Sequence, residues 1–88
     1  MAWTIRYSDK AVKQLRRLDK PVARSVVRYM KSVADLDDPR ARGKALSGPL
    51  SGMWRYRVGN YRVIATIEDS HCVVVAVKVD HRSRVYDD

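Results

Sequence analysis

Cysteine is almost absent from this chain. A single cysteine, Cys72, excludes an intramolecular disulfide and any zinc site built from several cysteines. Long apolar runs are missing too: the longest spans residues 72–77, far below the roughly 18–20 residues that cross a bilayer. The first residues also lack the apolar core of a secretory signal peptide. We therefore expect a small soluble protein of the cytoplasm, with Cys72 as a small buried side chain.

The charge of the chain is strongly unbalanced. Its 88 residues carry 18 Lys and Arg against 10 Asp and Glu, a formal net charge of +8. With 45% hydrophobic residues, the chain is too apolar to be disordered, and its length predicts one domain over residues 1–88. A basic excess of this size points to a polyanionic partner. Residues 1–43 hold most of the excess, with 11 basic and 5 acidic side chains.

The first half predicts a short strand followed by two helices. Residues 2–7 alternate apolar and polar side chains, as a strand does. Ser8 is a good N-cap for a helix over residues 9–18, and Pro21 suits the first turn of a second helix. The polar run 35–39 ends that second helix. Two helices joined by so short a break form an antiparallel pair.

The second half predicts a sheet. Residues 40–52 read as a loop, after which the apolar period changes to two. Strands over 53–58 and 61–67 flank the tight-turn pair Gly59-Asn60, and the β-branched run 71–79 predicts a central strand. The fold class is therefore α+β: an N-terminal strand, an antiparallel helical pair, then three antiparallel strands forming one sheet.

A two-residue turn at Gly59-Asn60 has a consequence for side-chain direction. It sets Arg57 opposite Arg62 and Arg55 opposite Ile64, so the three arginines share the face that the helices leave open. Like charges directly opposite on a sheet are destabilising. An anionic ligand would account for them, since guanidinium groups bind phosphate in bidentate geometry. The alternative is a solvated face with the side chains spread into water.

The C-terminal segment contains side chains that can take part in acid–base chemistry. His81, Arg82, Arg84 and Tyr86 lie within six residues of one another. Histidine is the usual acid or base near neutral pH, whereas a tyrosine is a poor base unless nearby cations stabilise the phenolate. Folding of this segment beside the hairpin would supply such cations. The alternative is a packed tyrosine in a solvated tail.

Three segments of the sequence together form a pattern that is similar to that of a known protein family. The loop 44–50 reads Lys-Ala-Leu-Ser-Gly-Pro-Leu, the hairpin 54–64 reads Trp-Arg-Tyr-Arg-Val-Gly-Asn-Tyr-Arg-Val-Ile, and residues 81–86 read His-Arg-Ser-Arg-Val-Tyr. This pattern resembles the RelE branch of the RelE/ParE toxin superfamily over nearly the whole chain. The resemblance implies the RelE/ParE-like fold, which is similar to that of microbial ribonucleases.

The resemblance also implies a function. Members of the RelE branch are toxins of type II toxin–antitoxin systems, ribosome-dependent endoribonucleases (mRNA interferases) that cleave mRNA in the A site and inhibit translation. A RelB-like antitoxin neutralises them. On this resemblance Arg62 would stabilise charge on the scissile phosphate, Arg82 would assist the leaving group, and Tyr86 would activate the 2′-hydroxyl.

Further residues are implied as RNA or phosphate contacts. Arg55 and Arg57 stand where RelE members carry two lysines; arginine keeps the charge but titrates less readily. The other implied contacts are Lys44, His81 and Arg84, of which His81 matches a position that related branches use in acid–base chemistry. No carboxylate lies between residues 40 and 67, which disfavours a glutamate base. Without paired carboxylates that would suggest magnesium, we expect no metal and no cofactor.

Two rival functions remain open at this point. ParE-type members share the fold but inhibit DNA gyrase by binding it, and a non-catalytic RNA-binding module could use the same basic face. The basic residues of the helices are read as a solvated surface, with docking to ribosomal RNA as the alternative. The expected partners are therefore the antitoxin, the ribosome and mRNA, with no membrane.

Overall fold

The N-terminal third folds as a strand and two helices, as the capping residues predict. The computed structural model describes residues 3–86, so Ala2, the first residue of the predicted strand, lies outside them. Strand β1 spans Thr4–Tyr7, helix α1 spans Asp9–Arg17 and helix α2 spans Lys20–Ala34. The Ser8 hydroxyl accepts a hydrogen bond from the amide of Ala11 and caps α1 as expected.

The remaining chain builds the sheet. Its strands are β2 (Lys44–Ala45), β3 (Trp54–Val58), β4 (Tyr61–Glu68) and β5 (Val73–His81). The strand order is β1-β5-β4-β3-β2. Strand β1 pairs parallel to β5, while β2 to β5 are joined by antiparallel ladders. The predicted α+β class and the order of its elements are confirmed.

Two details of the sequence-based prediction are wrong. Residues 40–52 are more than a loop, because Lys44–Ala45 pairs with β3 as an edge strand. Cys72 is half-exposed rather than buried; it has a left-handed backbone (φ 52°) and closes the turn between β4 and β5. That turn also moves the start of β5 from the predicted residue 71 to Val73.

The core lies between the helical pair and one face of the sheet. Helix residues Val26, Met30 and Val33 are fully buried, and they pack in one cluster with sheet residues that include Tyr56 and Val63. Burial raises the pKa of the Tyr56 phenol, whose hydroxyl donates to the carbonyl of Pro39 at 2.8 Å. The opposite face of the sheet is left without helices and carries the charged side chains of β3 and β4.

Strand β5 contains an irregularity that decides which of its side chains reach that open face. Ile64 of β4 pairs with Lys78, but its neighbour Ala65 pairs with Ala76, so Val77 is an extra residue, a β-bulge. The bulge reverses the alternation beyond it, which places Val79 in the core. Along residues 3–86, no helix combines the length and the apolar character needed to cross a membrane.

Candidate active site

The β3–β4 hairpin has the register that the sequence predicts. Val58 faces Tyr61 and Arg57 faces Arg62 across the Gly59-Asn60 turn. Cross-strand partners point to the same side of a sheet, so Arg57 and Arg62 are neighbours on the open face. Arg57 is exposed and Arg62 is half-buried.

A second row of side chains runs beside this pair. Arg55 pairs with Ile64 on one side and with Lys44 of β2 on the other. Lys44 is exposed, Arg55 is half-buried, and Ile64 is only 2% exposed. Strands β2 to β4 therefore place four cations on the open face around one buried apolar residue, and the short strand β2 is what adds Lys44 to the three arginines.

The C-terminal segment folds back against this face. After β5 the backbone turns, with the amide of Arg82 donating to the carbonyl of Asn60 in the hairpin turn at 2.8 Å. Val85 then buries its side chain almost completely, whereas Tyr86 stays 50% exposed. The Arg55 Nη1 donates to the Tyr86 hydroxyl at 3.3 Å. Tyr86 thus stands at the edge of the arginine cluster, as expected for a segment folded beside the hairpin.

The electrostatics of Arg62 show how closely these groups converge. Desolvation lowers the pKa of its guanidinium first, and the positive charges of Arg55, Arg57 and Arg82 lower it further, while Tyr86 acts in the opposite direction. Each of these four side chains is therefore near enough to interact with Arg62. The arrangement concentrates positive charge around Arg62, beside the Tyr86 phenol, and an anion bound there would relieve the repulsion between the guanidinium groups.

Arg62 and Arg55 are also held by local contacts. The Nη1 of Arg62 donates to the carbonyls of Gly59 (3.0 Å) and Tyr61 (2.9 Å), which ties the guanidinium to the hairpin turn. The Nε of Arg55 is buried and has no hydrogen-bond partner within residues 3–86. An unpaired buried donor is costly, and a phosphate oxygen is the kind of acceptor that it lacks.

Two of the sequence-predicted residues lie elsewhere. His81 pairs with Tyr61, and their rings meet edge to face with centroids 5.5 Å apart. Because Tyr61 shares its face with buried Val63, His81 lies on the side of the sheet opposite the arginines. Arg84 is exposed and its Nε lies 3.8 Å from Asp80 Oδ1. The structure therefore gathers Lys44, Arg55, Arg57, Arg62, Arg82 and Tyr86 but leaves His81 and Arg84 outside the cluster.

An apolar groove beside Tyr86 was not predicted from the sequence. It encloses about 660 Å³ between the 46–50 segment, Met53, Ile64, Val85 and Tyr86. The sequence signal for this groove is Ile64, an apolar residue on the otherwise polar face of β4. The groove gives one side of the cluster an apolar wall, so that Tyr86 lies between a charged surface and an apolar one.

Known proteins share the sequence pattern of this chain. A sequence family described as ParE toxin of type II toxin–antitoxin system, parDE, matches residues 5–86. Toxin RelG of Mycobacterium tuberculosis is 34% identical over 87 residues, which cover 98% of each chain. Toxin RelE of the same organism is 33% identical over 76 residues, covering 86% of this chain and 77% of the relative.

A solved structure agrees with these sequence matches. A chain in the crystal structure of the toxin–antitoxin complex RelBE2 from Mycobacterium tuberculosis superposes with a TM-score of 0.85 at 31% identity. The match covers 93% of this chain and 100% of that one. The fold, the match along residues 5–86 and the identity to the mycobacterial toxins agree with one another. The chain belongs to the RelE/ParE family and is a RelE-family toxin of a type II toxin–antitoxin system.

Proposed function

We propose that this toxin is an endoribonuclease that cleaves mRNA in the ribosomal A site and so inhibits translation. The observation that carries the proposal is the gathering of Arg55, Arg57, Arg82 and Tyr86 around Arg62, with Arg55 hydrogen-bonded to the Tyr86 hydroxyl. A phosphodiester is the anion that best matches several guanidinium groups around one proton acceptor. The exposure of Tyr86 leaves room for an RNA strand to approach it.

The proposed reaction is an internal transesterification. Tyr86 accepts the proton of a ribose 2′-hydroxyl, whose oxygen attacks the adjacent phosphorus. The new O2′–P bond forms as the P–O5′ bond breaks, and the departing O5′ takes up a proton from water, which leaves a 2′,3′-cyclic phosphate and a 5′-hydroxyl. The hydrogen bond from Arg55 holds the Tyr86 oxygen beside the arginine cluster, where this role requires it.

The arginines divide the remaining tasks. Arg57 and Arg62 face each other on the open side of the hairpin, where they stabilise negative charge on the phosphoryl oxygens in the transition state. Arg82 follows directly on β5 and assists the departing O5′. Lys44, opposite Arg55, and the exposed Arg84 bind the neighbouring RNA backbone. Together, these cations can supply the electrostatic stabilisation of the transition state.

The proposal includes the ribosome because the protein supplies only a small set of acid–base groups. Positioning of a substrate alone can supply a large part of a rate enhancement, and the A site presents mRNA in one defined conformation. The basic surface of the two helices would add a salt-sensitive attraction to ribosomal RNA. With these proposed partners, the expected place of action is the cytoplasm, where translation takes place.

A cleavage assay on programmed ribosomes tests the proposal. Purified toxin is added to ribosomes that carry a defined messenger, and primer extension maps any new ends inside the A-site codon. The wild type should cleave, whereas Tyr86→Phe and Arg62→Ala should lose at least about a hundredfold in rate. Arg6→Ala is the matched control, because Arg6 is exposed on β1 and faces Val75 rather than the cluster. An intact messenger, or cleavage that survives Tyr86→Phe, contradicts the mechanism.

The ParE description of the matching family makes gyrase inhibition the second candidate. A supercoiling assay with purified gyrase separates the two activities. Inhibited supercoiling together with an intact messenger would establish the gyrase activity and overturn the nuclease. RNA binding without either effect would indicate the non-catalytic module.

We further propose that a RelB-like antitoxin binds this chain. A similar chain was solved in a toxin–antitoxin complex of the RelBE type. The neutralising segment has to mask the cluster around Tyr86, so it should carry carboxylates toward the arginines. Co-expression with such an antitoxin should restore growth, and purification should then yield the two proteins together.

A further inference from the structure

His81 lies at the end of β5, on the face of the sheet away from the arginine cluster. It is the last residue of the strand, and its half-buried ring packs edge to face against Tyr61. Its side chain lies on the face of the sheet away from Arg57 and Arg62. A direct contact between this imidazole and a phosphate held by the arginines would require the ring to cross the sheet.

The carbonyl and the ring nitrogen Nδ1 of His81 make their hydrogen bonds within the C-terminal turn. Its carbonyl accepts from the amides of Arg84 (2.8 Å) and Val85 (3.0 Å). Its Nδ1 accepts from the amide of Ser83 at 3.2 Å and lies 2.9 Å from the Ser83 hydroxyl. Because a backbone N–H can only donate, the network assigns the lone pair to Nδ1 and the ring proton to Nε2.

This pattern resembles the turn that asparagine and aspartate form. There a side-chain acceptor binds the backbone amide two residues further on and bends the chain. Here Nδ1 takes the place of that side-chain oxygen. The bend directs Arg82 toward the hairpin turn, where its amide meets the Asn60 carbonyl, and it lets Val85 bury its side chain next to Tyr86.

We infer that His81 is a positioning residue, whose imidazole shapes the C-terminal turn and thereby places Arg82 and Tyr86 at the arginine cluster. This inference rests on the proposed nuclease activity for its kinetic consequences. It assigns no proton transfer to the imidazole. A misplacement of reacting groups by about 1 Å can cost about a hundredfold in rate, so a residue that touches no substrate can still control the reaction.

Two substitutions distinguish positioning from acid–base catalysis. His81→Asn keeps an acceptor at the place of Nδ1 and can form the same turn with the Ser83 amide. His81→Gln moves its amide to the place of Nε2 and leaves the Ser83 amide without that acceptor. Neither variant can act as an acid or base near neutral pH. Thermal unfolding of both variants checks that they remain folded.

The kinetic readout is single-turnover cleavage of mRNA on programmed ribosomes. We expect His81→Asn to retain most of the wild-type rate with an unchanged pH profile, and His81→Gln to lose at least about tenfold in kcat with little change in KM. Equal loss in both variants would overturn the inference in favour of a chemical role. Full activity of His81→Gln would overturn it as well.

A second readout does not depend on cleavage. Amide hydrogen exchange of Ser83 and Val85 measures the turn itself. Faster exchange in His81→Gln than in His81→Asn supports the inference even if the wild type proves inactive as a nuclease. Equal exchange in the two variants would refute the role in the turn. Failure of the proposed function and failure of this inference therefore give different results.

Discussion

Removal of the Arg57 charge should stabilise the fold while it damages the site. Arg57 faces Arg62 directly across the β3–β4 ladder. Its side chain is exposed and makes no hydrogen bond or ion pair with any of residues 3–86. Asp80 faces Arg62 from β5, but its Oδ1 accepts from the amide of His81 at 2.7 Å. The repulsion between the two guanidinium groups is therefore only weakly compensated within the protein.

The size of the effect follows from the geometry of the pair. Like charges directly opposite in a sheet cost a few tenths of a kcal/mol, up to about 1 kcal/mol. We take about 0.5 kcal/mol for Arg57→Gln, which keeps a long polar side chain and removes the charge. For a domain of this length, that corresponds to a rise in Tm of about 2–4 °C.

The measurement is thermal unfolding at low and at high salt. In 10 mM salt the screening length is about 30 Å and the gain in Tm should be largest; in 1 M NaCl it is about 3 Å and the gain should vanish. Arg57→Lys keeps the charge and should show no gain. Arg6→Gln removes a charge from an exposed residue of β1 and should leave Tm unchanged. A lower Tm for Arg57→Gln at low salt, or a gain that persists in 1 M NaCl, would refute this reasoning.

Three further predictions concern the stability of the fold and the support of Tyr86. Arg40 donates to both oxygens of Asp69 (2.9 and 2.8 Å), and this hydrogen bond lowers the pKa of the carboxyl. Because a lowered folded-state pKa adds stability that is lost as the pH falls through it, the wild type should lose more stability than Asp69→Asn between pH 5 and pH 2 in urea titrations. A Cβ on Gly43 (φ +79°) would collide with the Arg55 carbonyl, whereas Gly52 (φ +92°) has open space. Gly43→Ala should therefore cost at least about 1 kcal/mol more than Gly52→Ala in the same titrations, and equal costs would contradict the collision. Val85→Ala and Val79→Ala each truncate a side chain that is 1% exposed and should cost about 2 kcal/mol. Only Val85→Ala should also slow mRNA cleavage under conditions where both variants are folded, and equal rates would show that Val85 does not support Tyr86.

The hairpin is the part of the structure that the sequence predicts best. Gly59-Asn60 allows a two-residue turn, and the alternation on both sides of it leaves one register. This register by itself places Arg57 and Arg62 on the open face. Ser8 and Pro21 locate the helix starts equally well, because capping is decided by neighbouring residues.

The structural features that the sequence does not predict depend on contacts between distant segments. Lys44–Ala45 is too short to show a period of its own, and its pairing is decided by β3. The bulge at Val77 lies inside a run of apolar residues, so the reversal of faces leaves no trace in the pattern. Cys72 is half-exposed because it closes a surface turn, and it does so with a left-handed backbone that is rare for such a residue.

The site combines residues that the sequence predicts with residues whose position depends on contacts between distant segments. The arginines of the hairpin follow from strand geometry alone. Tyr86 lies in an irregular segment, where no periodicity indicates its direction, and its expected place beside the arginines depended on the resemblance. His81 shows the limit most clearly, because the bulge at Val77 decides which face its side chain takes.

The bulge at Val77 has a consequence for how this protein family can change in length. Because Val77 has no partner of its own on β4, its deletion would leave Ala76 and Lys78 as successive residues of a regular strand that keep their present partners. Asp80 would still face Arg62, and Arg82 would still leave the strand beside the hairpin turn. The point at which the C-terminal segment leaves the sheet is therefore set by the pairing of β5 with the hairpin, and loss of this one bulged residue would not change it. Strand β5 thus contains one extra residue, whose loss should leave the tyrosine beside the arginines.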